Sequence, residues 1–480
     1  SSDLVRTGYE VRLEHLPERG GLLPGVGNRS FYLIMILSLC WTVAMTPRRS
    51  PAFLRPAVGL ATAALLLTGC ATPTLPAGTP SASAEPSSQV GGDAHEVRTQ
   101  TTRLLFSHDN GLTLIDAQTG DVVQETTHPG FLRLNAAGDG RHVVVTDGDR
   151  FLVYDAGVQS RPHGDHSHHY TYVPGLTARE YTAPKAGHVV AHQDRTALFA
   201  DGSGDIQIVD SAWIADPDAP VTALKTDAPH HGVAVPLVDD GVLLTQGTEE
   251  SRSTVQVRRN GHVVAQTDDC PGVHGEATAQ STDSGDTVVV GCTNGPVVWR
   301  DGAFHKVEAP DAYARTGNSS GSPLSPIVLT DYKSDANATK ERPTRVALVD
   351  TRTATLKLVE LGSSYWFRSL ARGPEGEALV LTADGAVQVI NPETATVEAS
   401  IPAIGAWTEK DDWQDAGPSI TVAGHTAYVT DAAAQSVTVI DLEERSVART
   451  LKLGATPTEV AVVNGMTAEE EAAQHDHSHG

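Results

Sequence analysis

Cysteine, positive charge and long hydrophobic runs are all scarce in this chain of 480 residues. The four cysteines are too few for a disulfide scaffold and too scattered for a cysteine-rich zinc module. Lysine and arginine total 35 against 59 acidic residues, a net charge of −24. This balance argues against a nucleic-acid binder, because phosphate recognition needs a basic face, but it leaves cation binding open.

The motifs of several enzyme classes are also missing. The sequence contains no GxSxG, HExxH or P-loop pattern. We therefore expect no catalytic residues and no enzyme activity.

Two apolar runs precede the body of the chain. Phe31–Val43 is too short for a membrane span. Ala57–Leu67 follows three arginines between positions 48 and 55, and it leads into the lipobox Leu67–Cys70. This order predicts a lipoprotein signal peptide over residues 45–69, with Cys70 as the lipid-bearing residue. The alternative is a short apolar helix followed by a chance LTGC sequence. Residues 1–44 are then expected to be an upstream extension that is not native.

The next segment, residues 70–101, is rich in Ala, Pro, Ser, Thr and Gly. Such a composition buries too little apolar surface to become ordered, so we expect a disordered tether. The protein would be exported and anchored by its lipid to the outer face of the bacterial cytoplasmic membrane, or lie free in the periplasm.

Two cysteines remain after the lipid-bearing one and the upstream Cys40. In an oxidising compartment, a disulfide between Cys270 and Cys292 is the favoured interpretation. Metal ligation by this pair is the alternative, and the lack of a CxxC spacing argues against it.

Residues 102–465 consist of short β-rich runs separated by turns. Alternation of apolar and polar residues indicates half-buried strands, and a self-similar unit of roughly 40–50 residues is typical of a propeller. Five of these strands end in aspartate: Leu112–Asp116, Phe151–Asp155, Asp205–Asp210, Val346–Asp350 and Val437–Asp441. The predicted fold is all-β, a single β-propeller.

Eight inner strands are predicted, one for each four-stranded blade of about 45 residues. Their positions are marked by Phe131, His188, Gly232, Gly275, Pro326, Phe367, Ser419 and Thr458. Residues 458–463 are expected to complete the blade that residues 103–126 begin, which closes the ring. Residues 427–463 resemble the YVTN-type propeller repeat, which implies the fold and says nearly nothing about function. Seven blades are the alternative count.

A histidine-rich segment, residues 163–170, lies in a long insertion at 156–187. Imidazoles are good zinc ligands, and this spacing predicts metal ligation. The candidates are His163, His166, His168 and His169, with Asp165 as a weaker one. The alternative is a solvated polar loop.

A second set of histidines recurs at the start of successive inner strands. These strands line the central channel, so His128, His188, His231 and His274 are predicted to meet at one of its mouths. His230 and Glu276 are weaker candidates. Alternatively, each imidazole caps a strand or bonds a nearby carbonyl. Because the insertion directly precedes His188, it is expected to fold over this mouth and to share one zinc ion with it.

A third set lies in the C-terminal tail, residues 466–480, which is expected to be disordered. His475, His477 and His479 are predicted to bind transition metals loosely. The alternative is an uninvolved terminus. His95 in the tether could assist.

Several segments together resemble the AztD family of periplasmic zinc metallochaperones. The resemblance is strongest from 128 to 295 and is carried by Pro129–Asn135, His163–Tyr170, Gly187–Val190, Thr196–Phe199, His231–Leu237 and Cys270–Ala277. The lipobox and the C-terminal position of the histidine tail are not known parts of this family's pattern.

The resemblance implies a zinc-binding propeller that hands Zn²⁺ to the solute-binding protein of a zinc ABC importer. It also supports the Cys270–Cys292 disulfide. A monomer is expected. Two alternatives remain: a metal-dependent propeller hydrolase of the lactonase or lyase type, favoured by oxygen ligands, and a non-catalytic interaction propeller at the cell surface.

Overall fold

The computed structural model of the chain describes residues 94–163 and 166–478, with only the backbone described for 474–478. The predicted signal peptide, Cys70 and residues 70–93 of the predicted tether lie outside these ranges, as do Asp165 and His479. Among the described residues, no helix is long and apolar enough to cross a membrane.

The described residues form 35 strands, one 3₁₀ turn (Ser211–Trp213) and one helix, α1 (Ala468–Ser478). The first strands in chain order are β1 (His95–Val97), β2 (Arg103–His108), β3 (Gly111–Asp116), β4 (Val122–Thr127), β5 (Arg133–Ala136), β6 (His142–Asp147), β7 (Arg150–Asp155), β8 (Val158–His163), β9 (His166–Thr171), β10 (Gly175–Thr182), β11 (Ala186–His192), β12 (Arg195–Ala200), β13 (Asp205–Asp210), β14 (Thr222–Lys225), β15 (Ala234–Pro236), β16 (Val242–Gly247), β17 (Arg252–Arg259) and β18 (His262–Thr267). The remaining strands are β19 (Glu276–Thr282), β20 (Gly285–Val290), β21 (Val297–Arg300), β22 (Ala303–Lys306), β23 (Ser319–Ser320), β24 (Ile327–Asp331), β25 (Arg345–Asp350), β26 (Thr355–Glu360), β27 (Leu370–Arg372), β28 (Ala378–Leu381), β29 (Ala386–Asn391), β30 (Thr396–Pro402), β31 (Ile420–Ala423), β32 (Thr426–Asp431), β33 (Ser436–Asp441), β34 (Ser446–Lys452) and β35 (Glu459–Val463).

These strands build eight four-stranded antiparallel sheets, the blades of a β-propeller. From the innermost strand outward, blade 1 is β35-β2-β3-β4 and blade 2 is β5-β6-β7-β10. Blades 3 to 8 each take four consecutive strands, from β11–β14 through β31–β34. The predicted eight-bladed fold is confirmed. So is its closure, because the C-terminal strand β35 pairs with β2, with Ala461 opposite Leu105.

The five strands that the sequence analysis identified by their final aspartate are third strands of their blades. In β3, Asp116 Oδ1 accepts hydrogen bonds from the backbone N–H groups of Gln118 and Thr119, each at 2.9 Å. Gly120 then takes a positive φ of 80°, which glycine adopts without strain. The aspartate therefore fixes the tight turn into the outermost strand. The side chains before it alternate into the core, where Leu112 and Leu114 are buried.

The inner strands define two mouths of the central channel. One cavity is lined by residues at the beginnings of inner strands, such as His188 and Glu276. Another is lined by residues at or beyond their ends, such as Gln193 and Asn464. We call these the N-terminal mouth and the C-terminal mouth. The seven residues of β11, at about 3.3 Å each, separate the two mouths by roughly 20 Å.

One of the eight predicted inner-strand positions is wrong. Pro326 precedes β24, the second strand of blade 6, whereas the inner strand of that blade is β23. The reason is that β23 contains only two residues, both serine, so no apolar alternation marks it.

Blade 2 is interrupted by a β-hairpin. Strands β8 and β9 pair with each other between the third and fourth strands of the blade, and β1 adds a third strand to them. The expected loop at 156–187 is therefore the hairpin followed by β10. The end of the expected tether, His95–Val97, is also a strand.

The hairpin lies on the face of the C-terminal mouth. Strand β7 runs parallel to the inner strand β5 and ends on that face, because successive strands of the blade are antiparallel. The Ser160 N–H donates to the carbonyl of Gly465, just beyond the end of β35, at 2.8 Å.

The C-terminal tail was expected to be disordered, but residues 468–478 form the helix α1. A reciprocal pair of hydrogen bonds starts this helix. The Glu470 N–H donates to Thr467 Oγ1 at 3.1 Å, and the Thr467 N–H donates to Glu470 Oε2 at 2.8 Å. This capping box is readable in the sequence and was missed.

Candidate metal centre

Three histidines from three successive blades meet at the N-terminal mouth. His188 lies in β11, His231 lies three residues before β15, and His274 lies two residues before β19. Each thus occupies an equivalent position at the start of an inner strand, where neighbouring blades converge. The sequence predicted this meeting, and we call these residues the channel triad.

Two of the three Nε2–Nε2 distances in the channel triad match the ligand spacing of a tetrahedral ion. His231 Nε2 lies 3.3 Å from His188 Nε2 and 3.2 Å from His274 Nε2. All three ligand atoms lie within 4.8 Å of one another. Zinc bound to imidazole at about 2.05 Å with tetrahedral angles places its nitrogen ligands about 3.3 Å apart.

The opposite nitrogen of each ring faces an oxygen acceptor. His231 Nδ1 lies 2.5 Å from Asp201 Oδ2, and His274 Nδ1 lies 2.7 Å from the carbonyl of Gly317. His188 Nδ1 lies 3.5 Å from Glu276 Oε2. Because a carboxylate and a carbonyl only accept hydrogen bonds, Nδ1 of His231 and His274 must carry the proton. Their Nε2 lone pairs are then free to bind a cation, as in metal sites where oxygen acceptors orient the imidazoles.

Burial keeps His274 neutral. Desolvation lowers the pKa of His274 well below its usual value of 6.5, and the neighbouring His188 and His231 lower it further. Since only the unprotonated imidazole binds metal, this ring is ready to bind at neutral pH.

Asp201 was not predicted from the sequence. It follows β12 in the turn between the second and third strands of blade 3, and such turns lie at the N-terminal mouth. Gly187 allows its close approach, because a Cβ at position 187 would overlap the Asp201 carboxylate. An aspartate in this turn, next to a glycine that precedes a candidate ligand, is the signal that could have identified it.

A disulfide fixes the segment that carries His274. Cys270 and Cys292 are bonded as predicted, so neither is a metal ligand. The His274 N–H donates to the carbonyl of Gly291 at 3.0 Å, and the Gly291 N–H donates back to Gly275 at 3.1 Å. The turn at 270–275 is therefore tied to the end of β20, which limits the movement of the His274 backbone.

A second group of three histidines lies at the tip of the hairpin. His163 stands opposite His166 across the two strands, and His168 is two residues further along β9 on the same face. Their ring centroids are 5.0 to 5.5 Å apart, and their ligand atoms also lie within 4.8 Å of one another. His168 Nδ1 lies 2.7 Å from Glu96 Oε1 in β1. We call His163, His166 and His168 the hairpin triad.

The hairpin triad differs from the channel triad in exposure. His163 and His166 are exposed, and the side chains of His168 and Glu96 are 39% and 59% exposed. Water competes for such ligands and weakens the ion pairs that orient them.

The two triads lie on opposite faces of the propeller. The expected sharing of one ion between them is therefore wrong. The insertion adjoins His188 in sequence, but β10 crosses blade 2 between the two sites and carries the chain from the C-terminal face back to the N-terminal face.

The other predicted ligands belong to neither triad. His169 points to the other face of β9, with Nδ1 2.9 Å from Ser160 Oγ. His128 Nε2 lies 3.0 Å from Asp147 Oδ2. His230 is fully buried between Thr245 Oγ1 and the carbonyl of Ala228, which matches the capping alternative. Glu276 faces Nδ1 of His188 at 3.5 Å rather than joining the three Nε2 atoms. The backbone of His475 and His477 lies in α1, and their side chains are outside the described structure.

Removal of the Asp201 carboxylate should weaken metal binding without abolishing it. In Asp201→Asn, the side chain can present its NH₂ group to His231 Nδ1, which disfavours the tautomer that binds metal. We expect zinc affinity, measured by chelator competition, to fall about 10- to 100-fold at unchanged stoichiometry. Asp205→Asn in the same blade, where Asp205 pairs with Lys225 on the surface, is the control. Equal affinities in both variants would contradict this role.

Comparison with known proteins relates the chain to AztD of Citrobacter koseri both by sequence and by structure. No protein-family profile matches the chain. The zinc chaperone AztD of Citrobacter koseri is 26% identical over 387 residues, which cover 78% of this chain and 88% of that protein. The crystal structure of C. koseri AztD matches with a TM-score of 0.66 at 24% identity, over 77% of this chain and 99% of the other.

In sequence and in fold, the chain is similar to AztD of C. koseri. The structure of apo AztD from the same organism also matches, with a TM-score of 0.64 at 23% identity, over 76% of this chain and 98% of the other. At these identities the solved structures establish the fold. The AztD match spans nearly the whole length of the solved chains.

Proposed function

We propose that this protein is a zinc metallochaperone that holds Zn²⁺ on the channel triad. The observation that carries the proposal is the spacing of 3.2 and 3.3 Å between the Nε2 atoms, which suits tetrahedral zinc. The similarity to a protein named zinc chaperone AztD supports it.

Three protein ligands leave the fourth position of a tetrahedral ion for an incoming group. The channel triad lies in a cavity at the N-terminal mouth, so a ligand from another protein can attach before the imidazoles leave. Handover then proceeds through mixed-ligand states without release of the free ion. We propose that the recipient is the solute-binding protein of a zinc ABC importer.

We propose that the hairpin triad binds a second zinc ion more weakly. Its exposure, on the face opposite the channel triad, suits capture of metal from solution. The chain's net charge of −24 favours the approach of cations to both sites.

The proposed function includes export, because periplasmic zinc delivery requires it. The signal peptide and lipid attachment at Cys70 remain part of the proposal. Cells grown with labelled palmitate should incorporate the label into the protein, and the Cys70→Ser variant should remain unlabelled.

The transfer step can be tested directly. Zinc-loaded protein is mixed with a metal-free solute-binding protein in the presence of excess fluorescent chelator. We expect zinc to reach the solute-binding protein while the chelator signal stays low. If the chelator captures the zinc first, transfer goes through free ion and the chaperone proposal fails.

A zinc hydrolase is the second candidate, because three imidazoles with an open position also describe catalytic zinc. A panel of ester and lactone substrates tests it on the zinc-loaded protein. Turnover that is lost in His231→Ala would favour the enzyme over the chaperone.

A further inference from the structure

The cavity that contains the channel triad is also lined by two arginines, Arg133 and Arg315. Within the described part of the chain, neither guanidinium has a carboxylate at ion-pair distance, although acidic residues are in large excess. Arg133 Nε is buried without a hydrogen-bond partner. The Arg133 guanidinium lies 5.7 Å from the centre of the Trp413 ring, a contact that leaves its positive charge uncompensated. Two cations without a carboxylate partner at one cavity indicate a site for an anion.

Arg315 lies beside the triad. Its Nε and His274 Nδ1 both approach Gly317: a Cβ at that position would lie 3.2 Å from the former and 3.5 Å from the latter. The Arg315 side chain therefore lies near the Nδ1 edge of the His274 ring, on the side of the cavity formed by blades 5 and 6.

The local charge favours an anionic fourth ligand. Three neutral imidazoles leave the charge of a divalent ion intact, and the two arginines add to it. Asp201 and Glu276, which face Nδ1 atoms, offset only part of this charge. A carboxylate has two oxygens, so one can bind the metal while the other accepts hydrogen bonds from a guanidinium.

We propose that the cavity binds a carboxylate as the fourth ligand of the metal and that Arg315 holds its second oxygen. Arg133 contributes positive charge from the opposite side. This inference rests on the proposed function, since it requires a metal on the channel triad. The carboxylate comes either from an acidic side chain of another protein or from a small free acid.

The aromatic residues at the rim of the cavity favour a protein side chain as the source of the carboxylate. Trp413 lines the cavity and is 48% exposed. It contacts Phe131 and Phe367 edge-on, with ring centroids 5.1 and 6.4 Å away. An exposed tryptophan packed on other aromatic rings beside a charged site is typical of a surface that contacts protein.

Cobalt-substituted protein provides the test, because the visible spectrum of Co²⁺ reports its ligands. Acetate is titrated at constant ionic strength, and the spectrum is expected to change saturably. Arg315→Gln should bind Co²⁺ with unchanged stoichiometry but need about tenfold more acetate, the usual scale for a lost charge-assisted hydrogen bond. Arg352→Gln, which changes an arginine paired on the surface with Asp350 and Glu393, is the control. Arg315→Lys, with charge but no planar fork, should fall between.

The outcomes separate the possibilities. If the triad binds no Co²⁺, the proposed function fails. If Co²⁺ binds but the spectrum ignores acetate, or if Arg315→Gln and Arg315→Lys both respond like the wild type, the carboxylate site is rejected. A capped peptide with a central glutamate that binds more tightly than acetate assigns the ligand to a protein side chain. Tighter binding of acetate assigns it to a small acid.

Discussion

His231→Ala is expected to lose tight zinc binding. His231 is the central member of the channel triad, within 3.3 Å of both other Nε2 atoms, and Asp201 orients its ring. Without it, only two imidazoles remain to bind the ion, too few for a three-ligand tetrahedral site. Loss of an orienting group alone costs about 10- to 100-fold in affinity, so loss of the ligand should cost more than about 100-fold. Competition with a chelator of known affinity measures the effect.

His128→Ala provides the matched control. This histidine also precedes an inner strand and was also predicted as a ligand, but its Nε2 contacts Asp147 rather than the triad. We expect its zinc affinity to equal that of the wild type. The channel site would be rejected if His128→Ala lost tight binding and His231→Ala kept it.

The second large effect concerns stoichiometry. Simultaneous replacement of the four hairpin histidines is expected to reduce bound zinc from two ions to one and to leave the tight site intact. The replaced residues are His163, His166, His168 and His169. Because roughly 20 Å of inner strand separates the two mouths, the sites should bind independently. Titration followed by elemental analysis measures both numbers.

The triple variant of the channel triad is the complementary experiment. Replacement of His188, His231 and His274 by alanine should leave only the weaker site at the hairpin. Loss of tight binding in the hairpin variant instead would restore the shared site expected from the sequence and contradict the separation of the two triads.

Much of the fold was predictable because the blades repeat. The five predicted strands that end in aspartate are all third strands, and the C-terminal strand β35 completes blade 1. Equivalent positions in neighbouring blades converge on the channel, so the meeting of His188, His231 and His274 also followed from the pattern. The inner strand of blade 6 was not predicted correctly, because it has only two residues.

The face on which the hairpin lies could not be predicted from the blade repeat. Sequence adjacency to His188 suggested proximity, but a propeller strand carries the chain from one face to the other within six to eight residues. The face on which a segment lies therefore depends on how many strands separate it from its neighbour. The sequence pattern did not reveal β10 within the insertion. The partners Asp201 and Glu96 were equally hidden, because they come from other strands or turns and follow no motif.

The two triads suit different tasks. The channel triad is partly buried, its Nδ1 atoms face oxygen acceptors, and a disulfide ties down the segment of His274, so it is built to hold an ion in one geometry. The hairpin triad is exposed, and the Glu96 carboxylate that contacts His168 is exposed as well. This contrast supports exchange with solvent at one mouth and retention at the other.

Anomalous diffraction at the zinc absorption edge, from crystals of zinc-loaded protein, tests the central claim most directly. We expect the strongest peak at the N-terminal mouth, about 2.0–2.1 Å from the Nε2 atoms of His188, His231 and His274. A channel triad without a peak, with zinc bound only at the hairpin, would contradict the account.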